Sequence, residues 1–234
     1  MAAFVIKGRP VWLGAIDMSA SAHAVAIDYG AEPADNTTLN STTRKSIGGL
    51  KTFGFSMDAF VEPAIVDGLL TGYVGSEVPL TFATVTGAGQ EDAYLINARQ
   101  LAHSPFSGAI GDIAKTNISG NASGDLVRGI LEVNTATATT GNSAGVELGA
   151  ISATQSLHIN LHVTVAAGTT LDVIVQSDTE DTFASAITVA TFTQVTGITS
   201  QHIEVVGANT DRFFRIRYTI VGGSFTFAAA FGVI

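Results

Sequence analysis

The sequence predicts an all-β protein with one short helix. Apolar and polar residues alternate with a period of two over most of the apolar segments, which is typical of half-buried strands. Gly, Thr, Ser, Ala and Val dominate the 234 residues, and Gly222-Gly223 separates two alternating runs as the turn of a hairpin does. The helix is predicted over Pro63–Thr71, because Pro63 suits the first helical position and Gly72 suits the stop.

The C-terminal part of the chain shows the clearest strands. Leu157, Ile159, Leu161, Val163 and Val165 share one predicted face, and the histidines of the other face are expected at the surface. At least six alternating segments follow one another between residues 146 and 234, which predicts a β-sandwich of jelly-roll type. The segments are 156–166, 171–176, 187–193, 201–206, 211–221 and 224–234.

The N-terminal part is also predicted to be mostly strand, as a β-barrel or sandwich beside the short helix. A long polar segment at about residues 30–48, rich in Thr and Asn, is predicted as a loop, and a loop of this length in a compact domain is often functional. The strand segments are 24–29, 50–58, 78–85, 93–100 and 126–133.

A small, polar and uncharged stretch divides these two parts. Residues 136–145 lack apolar periodicity, so we interpret them as a linker between a domain at 1–135 and a C-terminal domain at 146–234. We expect the C-terminal sandwich to fold by itself and the N-terminal domain to tolerate its removal.

Composition argues for a protein that buries surface between subunits. Hydrophobic residues reach 46% and charged residues only 13%, with a net charge of −9. An acidic chain does not grip DNA. Without cysteine the chain has no disulfide or thiolate zinc site. No segment predicts a membrane span or a secretory signal.

The candidate chemical motifs are weak. Gly141-Asn-Ser143-Ala-Gly145 matches the G-x-S-x-G pattern but does not stand between a strand and a helix as a nucleophile requires. His158 and His162 stand about 13 Å apart along a strand, too far for one zinc ion. The acidic turn at 178–181 is better explained as a solvated loop than as a calcium site. We therefore predict no enzyme, no catalytic residues, no cofactor and no metal.

The order of elements over the first 135 residues resembles the major tail tube proteins of long-tailed, siphovirus-like bacteriophages. Asp28-Tyr29 ends a strand, the long polar loop follows, and Gly49–Asp58 precedes the short helix. Val78–Phe82, Ala93–Leu95, Gly108–Asp112 and Val127–Gly129 come next. The C-terminal sandwich resembles an extra domain that some of these proteins carry on the tube exterior.

The resemblance implies a structural virion protein. Such subunits join their sheets into rings, usually hexameric, which stack into the tail tube through which the genome is ejected. Implied partners are further copies of the chain and the tape measure, tail terminator and distal tail proteins. DNA passes without specific binding, no membrane is involved, and weak glycan contact by the C-terminal domain is a hypothesis. The implied location is the virion tail, assembled in the host cytoplasm.

Two sets of residues carry the predicted assembly role. The long loop is expected to be mobile in a free subunit and to stack rings. Its candidate contact residues are Glu32, Asp35, Asn36, Leu39, Arg44 and Lys45. In Leu50–Asp58 the large apolar side chains share one face, so the polar face is the candidate channel lining. Its residues are Thr52, Ser56 and Asp58.

Two other classes of protein remain open. A capsid decoration or head protein would share the apolar, β-rich composition. A carbohydrate-binding module would share the jelly roll, but it would need exposed aromatic side chains, and the one Trp, Trp12, lies far from the sandwich in sequence.

Overall fold

The computed structural model describes residues 9–61, 66–84, 89–122 and 124–234, without the side chains of residues 66, 67 and 100. The elements in chain order are β1 (Val11–Leu13), β2 (Ile16–Asp17), β3 (Ala22–Asp35), β4 (Ser46–Phe60), α1 (Val66–Tyr73), β5 (Val78–Ala83), β6 (Glu91–Ser107), β7 (Lys115–Ala122), β8 (Val127–Thr137), β9 (Gly141–Asn142), β10 (Val146–Glu147), β11 (Ser156–Ala166), β12 (Thr170–Asp178), β13 (Ile187–Thr191), β14 (Thr199–Val206), β15 (Phe213–Val221) and β16 (Phe225–Val233).

The predicted all-β class with one short helix is confirmed. The helix is Val66–Tyr73, and the predicted first helical residue, Pro63, lies outside the described residues. Among the described residues, no helix is long and apolar enough to cross a membrane.

The chain forms two compact units that alternate along the sequence. The first unit contains Met1–Ser21, Val78–Asn97 and Val127–Ile234, and the second contains Ala22–Glu77 and Ala98–Leu126. Strand β6 therefore begins in the first unit and ends in the second.

The first unit contains the predicted jelly roll. One sheet has the strand order β8-β16-β11-β14, and the other has the order β10-β15-β12-β13, with β9 also paired to β15. Apart from the steps from β9 to β10 and from β12 to β13, which stay within one sheet, the chain changes sheet at each step from β8 to β16. This antiparallel arrangement, with four strands from one sheet and four strands plus the short β9 in the other, is the jelly roll, in which inward-facing side chains of both sheets form the core.

Four phenylalanines fill the centre of the jelly roll because their strands place them on the inward faces. Phe214 and Phe231 meet edge to face with 6.5 Å between ring centroids, and Phe225 and Phe227 are equally buried. Tyr218 packs edge to face on Phe227 at 5.1 Å. Aromatic side chains contribute the largest buried areas in a core of this kind.

The boundary of the jelly roll differs from the predicted one. Its first strand is β8, which the sequence analysis gave to the N-terminal domain, and residues 136–145 are not a free linker. Thr137 pairs with Phe225 on β16. Ser143 exchanges hydrogen bonds with Ile216, its N–H donating to the carbonyl at 2.8 Å and its Oγ accepting from the N–H at 2.9 Å. The small side chains hide this strand pairing because they give no apolar periodicity.

The polar face of β11 is also buried, contrary to the expectation of surface histidines. Asn160 and His162 have no exposed area, and β11 lies against β5 and β2 on this side. Asn160 Nδ2 donates to the Leu80 carbonyl at 3.1 Å, and His162 Nδ1 lies 2.6 Å from the Gly14 carbonyl. The alternation of apolar and polar residues correctly predicted one buried face of β11. It could not show that β5 and β2 cover the other face.

The second unit is an antiparallel sheet in the order β3-β4-β7-β6, the last strand contributing residues 98–107. Its buried face contains Phe53, Phe55 and Met57 of β4 with Ile118 of β7. Leu70 of α1 is also fully buried. The predicted apolar face of β4 is thus present in the structure.

Candidate assembly surfaces of the second unit

The hairpin β3–β4 is the most unusual element of the second unit. Its strands have 14 and 15 residues, and from Tyr29 to Leu50 nearly every residue is exposed. Leu39 is fully exposed, and Ile47 and Leu50 are more than half exposed. A two-stranded ribbon without a packing partner is only marginally stable in water. This ribbon therefore has the properties of a segment that becomes covered in an assembly.

The predicted loop at 30–48 is shorter in the structure because both strands extend into it. Pairing continues to Asp35 and Ser46, so the turn covers residues 36–45. The alternation of Ala31–Asp35 is too polar to indicate a strand. Residues 31–35 and 46–48 of the predicted loop thus belong to strands, and the mobility of the loop in a free subunit stays a prediction.

Side chains close the turn, which we call the hairpin tip (residues 36–45). Arg44 Nε lies 3.1 Å from Asp35 Oδ2, and Asp35 Oδ1 accepts from the Thr37 N–H at 2.8 Å. Hydrogen bonds from Thr37, then the Arg44 bond, lower the pKa of Asp35. Thr37 Oγ1 accepts from the Lys45 N–H at 2.8 Å, and the Asn36 N–H donates to the Lys45 carbonyl at 3.1 Å.

These contacts show which of the predicted loop residues interact with each other within the chain. Asp35 and Arg44, both predicted as contacts between rings, pair with each other within the chain. Glu32 lies on the exposed ribbon of β3, and Leu39 stands at the outermost part of the tip. The structure brings Asp35, Asn36, Arg44 and Lys45 together.

A polar cluster lies at the base of the ribbon. Lys51 Nζ is 3.3 Å from Asp125 Oδ2, and the Tyr29 hydroxyl donates to Asp125 Oδ1 at 3.3 Å. The Tyr29 and Asp125 side chains raise the pKa of Lys51. Lys51 and Asp125 border an open cleft of about 610 Å³ that Thr52, Phe53 and Asn121 also line.

The predicted channel-lining residues share one face of the sheet. Opposite Ser56 and Asp58 on β4 stand Ser119 and Asn117 of β7, and Asn117 Nδ2 donates to Asp58 Oδ1 at 2.7 Å. Between Thr52 and Asp58 the side chains of this face are small or polar, and the large apolar Leu50 and Phe60 stand beyond its two ends. The residues of this face include Ala24, Ala26, Asp28, Thr52, Gly54, Ser56, Asp58, Asn117, Ser119 and Asn121.

The sequence analysis missed strand β7 and therefore half of this polar face. Asn117, Ser119 and Asn121 alternate with Thr116, Ile118 and Gly120, which is a period-two pattern with only one large apolar residue. Gly120 is required here, because a Cβ at this position would stand 2.8 Å from the Phe55 ring. This period-two pattern could have indicated β7, but it was weaker than in the neighbouring strands because it contains only one large apolar residue.

The opposite end of the same sheet carries a second exposed apolar group. The loop from Gly108 to Ala114 joins β6 to β7 beside Phe60, and the Val61 N–H donates to the Ala114 carbonyl at 3.1 Å. Ile110 is fully exposed, and Phe106 and Ile113 are 72% and 68% exposed. We call the group Phe60, Phe106, Ile110 and Ile113 the basal patch. A cleft of about 530 Å³ opens between Phe60 and Ile113.

The candidate chemical motifs show structural contacts. The Ser143 Oγ of the G-x-S-x-G match accepts a backbone hydrogen bond from Ile216. Asp178 of the acidic turn accepts from the N–H groups of Glu180 and Ser185 at 3.4 Å and 2.8 Å. Within the described ranges, no three His, Asp or Glu side chains are grouped so that they could hold a metal ion.

No protein-family model matches the chain, and no curated protein matches it. Solved structures match the chain with TM-scores below 0.5. A chain from the virion of a native gene transfer agent particle has a TM-score of 0.42 at 17% identity, covering 54% of this chain and 98% of that chain. The PVC sheath/tube terminator of an extracellular contractile injection system has a TM-score of 0.41 at 13% identity, covering 55% and 97%.

A third solved structure covers nearly the whole chain. The SPP1 Dit (gp 19.1) protein, described as a hub adsorption apparatus protein of phages that infect Gram-positive bacteria, has a TM-score of 0.39 at 13% identity. The aligned part is 97% of this chain and 100% of that chain. At these identities the likeness concerns the fold alone.

Proposed function

We propose that this chain is a structural protein of a phage tail that assembles into stacked rings around a channel for the genome. The observation that carries the proposal is the long ribbon of β3–β4, whose outer half is exposed on both faces and ends in the fully exposed Leu39. Such a ribbon gains its packing partners only when subunits assemble. The proposed location is the tail of a virion, and the subunits assemble in the host cytoplasm.

Assembly into a ring also explains the free edge of the second unit. Strand β3 pairs only with β4 among the described strands, so its outer edge presents unpaired backbone groups over 14 residues. Exposed edges of this length invite pairing with another chain, and a closed ring removes them. Hexameric symmetry is part of the proposal through the family resemblance, as are the tape measure, tail terminator and distal tail proteins as partners.

The polar face containing Thr52, Ser56 and Asp58 is the proposed channel lining. Between Thr52 and Asp58 its side chains are small or carry no positive charge, while Arg99, which pairs with Glu77, and Lys115 stand at its borders. Asp28 and Asp58 add negative charge, which repels phosphates. DNA would then pass without specific binding.

The two other classes of protein find less support in the structure. For a carbohydrate-binding module, the jelly roll would need exposed aromatic side chains, but Phe214, Phe225, Phe227 and Phe231 are all buried. A weak glycan contact of the jelly roll stays a hypothesis. A capsid decoration protein would not require a long ribbon ending in an exposed leucine.

Deletion of the ribbon tests the proposal. Replacing residues 31–47 with a short Gly-Ser linker should leave the sheets folded, because only the exposed half of the ribbon is removed. We expect circular dichroism to show a folded subunit and negative-stain electron microscopy to show no long tubes, whereas the full chain forms tubes.

A matched pair of point variants separates assembly from solubility. Leu39→Asp should abolish tube formation, and Ile187→Asp should not, because Ile187 is an exposed apolar residue of the jelly-roll edge. Tubes formed normally by Leu39→Asp would contradict the stacking role of the ribbon. Shell-bound particles or plain monomers from the full chain would instead favour the other two classes.

A further inference from the structure

We propose that the basal patch is the surface that receives the hairpin tip of a second copy of this chain. The inference rests on the proposed function and adds the partner surface that the tip contacts. Both surfaces belong to the second unit.

The hairpin tip and the basal patch stand at opposite ends of one sheet. Asp35 pairs with Ser46 at the tip end, whereas Phe60 pairs with Lys115 at the other end. The 15 residues of β4 span on the order of 50 Å between these ends. The tip therefore cannot reach the basal patch of its own chain, and contact between the two requires another copy.

The two surfaces are complementary in shape and polarity. The tip presents Leu39 as a fully exposed apolar side chain, and the basal patch presents a cleft between Phe60 and Ile113. The cleft of about 530 Å³ has room for a leucine side chain. Gly108 and Gly111 form part of its wall, with φ values of 152° and 97°. Burial of apolar area drives such a contact.

Charged side chains flank both surfaces. Arg44 pairs with Asp35 within the tip, while Lys45 contributes its backbone to the tip and has an exposed side chain. Asp112 lies on the cleft of the basal patch and is exposed, and Lys115 lies there too. We assign Lys45 of one copy to Asp112 of the next.

The position of the surfaces determines the kind of assembly. A tip that binds a basal patch forms a head-to-tail contact, and each added copy again offers a free tip and a free patch. Pairing of two tips would instead be isologous and would stop at two copies. Only the first kind of contact extends a stack of rings.

A disulfide between copies tests the inference, because the wild-type chain contains no cysteine. In the double variant Leu39→Cys, Ile113→Cys, oxidation can join the two cysteines only between copies. We expect a ladder of covalent dimers, trimers and longer multimers on non-reducing gels. Each single variant, at the same concentration, should remain monomeric on the gel.

The outcomes separate this inference from the proposed function. Tubes in electron micrographs without a ladder would leave the proposed function standing and overturn the basal patch as receiving surface. A dimer from Leu39→Cys alone would show tip-to-tip pairing and overturn the inference as well. If the full chain forms no assembly and the double variant no ladder, both proposals are wrong.

Reversal of charge gives a second test that does not depend on cysteine. Lys45→Asp and Asp112→Lys should each raise the subunit concentration needed for assembly by roughly fivefold, as expected for one exposed ion pair. The double variant should return toward the wild-type value. If the double variant needs as high a subunit concentration as the single variants, Lys45 and Asp112 do not pair between copies.

Discussion

His162 Nε2 lies 2.8 Å from Thr81 Oγ1, and both side chains are fully buried although 81 residues separate them. Because His162 Nδ1 faces the Gly14 carbonyl, it carries the proton, and Nε2 accepts from the Thr81 hydroxyl. Thr81 Oγ1 in turn accepts from Asn160 Nδ2 at 3.1 Å. A satisfied buried network of this kind specifies how β11 fits against β5 and the turn after β1.

Truncation after Gly145 should therefore abolish folding of the first unit. It removes β11 and β16 and leaves Trp12, Leu95 and Leu131, which pack with Ala228 and Ala230, without their cover. We expect thermal unfolding followed by circular dichroism to show no cooperative transition of this unit. The sequence alone instead predicts that the N-terminal domain tolerates this removal.

The complementary fragments provide the control for this truncation. A fragment of residues 146–234 lacks β8 and β9, whereas a fragment of 127–234 retains all strands of the jelly roll. The longer fragment should be more protected in hydrogen exchange than the shorter one. Equal protection of the two would show that β8 contributes little to the jelly roll.

Stability should fall in mild acid because of His162. Burial lowers the pKa of His162 from 6.5 to about 4, against the opposing effects of the Gly14 carbonyl and Asp17. Between pH 6.5 and 4 the unfolded chain binds a proton that the folded chain does not, so stability falls as pH falls through this window. The loss is on the order of 3 kcal/mol, and urea unfolding at several pH values measures it.

The variant His162→Gln isolates this contribution. Gln keeps a donor and an acceptor but does not titrate, so its free energy of unfolding at pH 7 should fall by about 1–3 kcal/mol. The difference between variant and wild type should then shrink toward pH 4. A constant difference across that range would show that His162 does not protonate on unfolding.

Glu132 should act in the opposite direction. Burial raises the pKa of its carboxyl from 4.5 to about 7, although Ser143 and Gln90 lower it in part. The folded chain keeps this proton between pH 4.5 and 7 while the unfolded chain loses it, so the contribution to stability decreases as pH rises through that window. Glu132→Gln should therefore gain stability relative to wild type between pH 5 and pH 8.

Urea unfolding of Glu132→Gln and wild type at both pH values measures this gain, expected on the order of 3 kcal/mol. The matched control is Glu147→Gln, which changes an exposed carboxyl near the beginning of the jelly roll. A gain of equal size in the control would refute burial as the cause.

Gly129→Ala should weaken the pairing of β8 with β16. A Cβ at residue 129 would stand 2.2 Å from the Phe231 carbonyl oxygen, and Gly232 on the partner strand leaves similarly little space. We expect a loss of about 1–3 kcal/mol or more of unfolding free energy. Gly197→Ala is the control because nothing lies within 4 Å of a Cβ there.

Asp58→Lys tests the proposed channel lining. Every copy would add a cation to that face, so we expect normal tubes but slower genome ejection, most clearly in low salt. Asp181→Lys changes the charge equally on an exposed jelly-roll loop and should leave ejection unchanged. Identical ejection kinetics for the two variants would mean that Asp58 does not face the channel.

Alternation predicted the strands whose apolar residues are large. It gave the core faces of β4, β11 and β16 and the hairpin turn at Gly222-Gly223, and the number of strands pointed to the jelly roll. It failed for β7 and for the extension of β8, where Asn, Ser, Thr and Ala alternate without a large side chain. Those strands are stabilised by backbone pairing with neighbouring strands. Their side chains give only a weak period-two pattern in the sequence.

Contacts between distant segments were the other limit. The polar face of β11 resembles a solvent-facing strand until β5 covers it, and residues 136–145 resemble a linker until β15 pairs with them. Among the proposed site residues, the polar face of β4 followed from periodicity alone. The residues of β7 that complete it, and the basal patch, required the sheet register.

The place of β16 has a consequence for how the subunit is made. It follows the other strands of its sheet in the chain, yet it lies between β8 and β11 in the middle of that sheet. The strands that precede β16 in the chain cannot complete their sheet until β16 has been made. Until then Trp12 and Leu131 also lack their contacts with the alanines of β16. A polypeptide released from the ribosome before β16 therefore lacks a central strand rather than an edge. A subunit whose translation stops before β16 therefore cannot complete the fold of this unit.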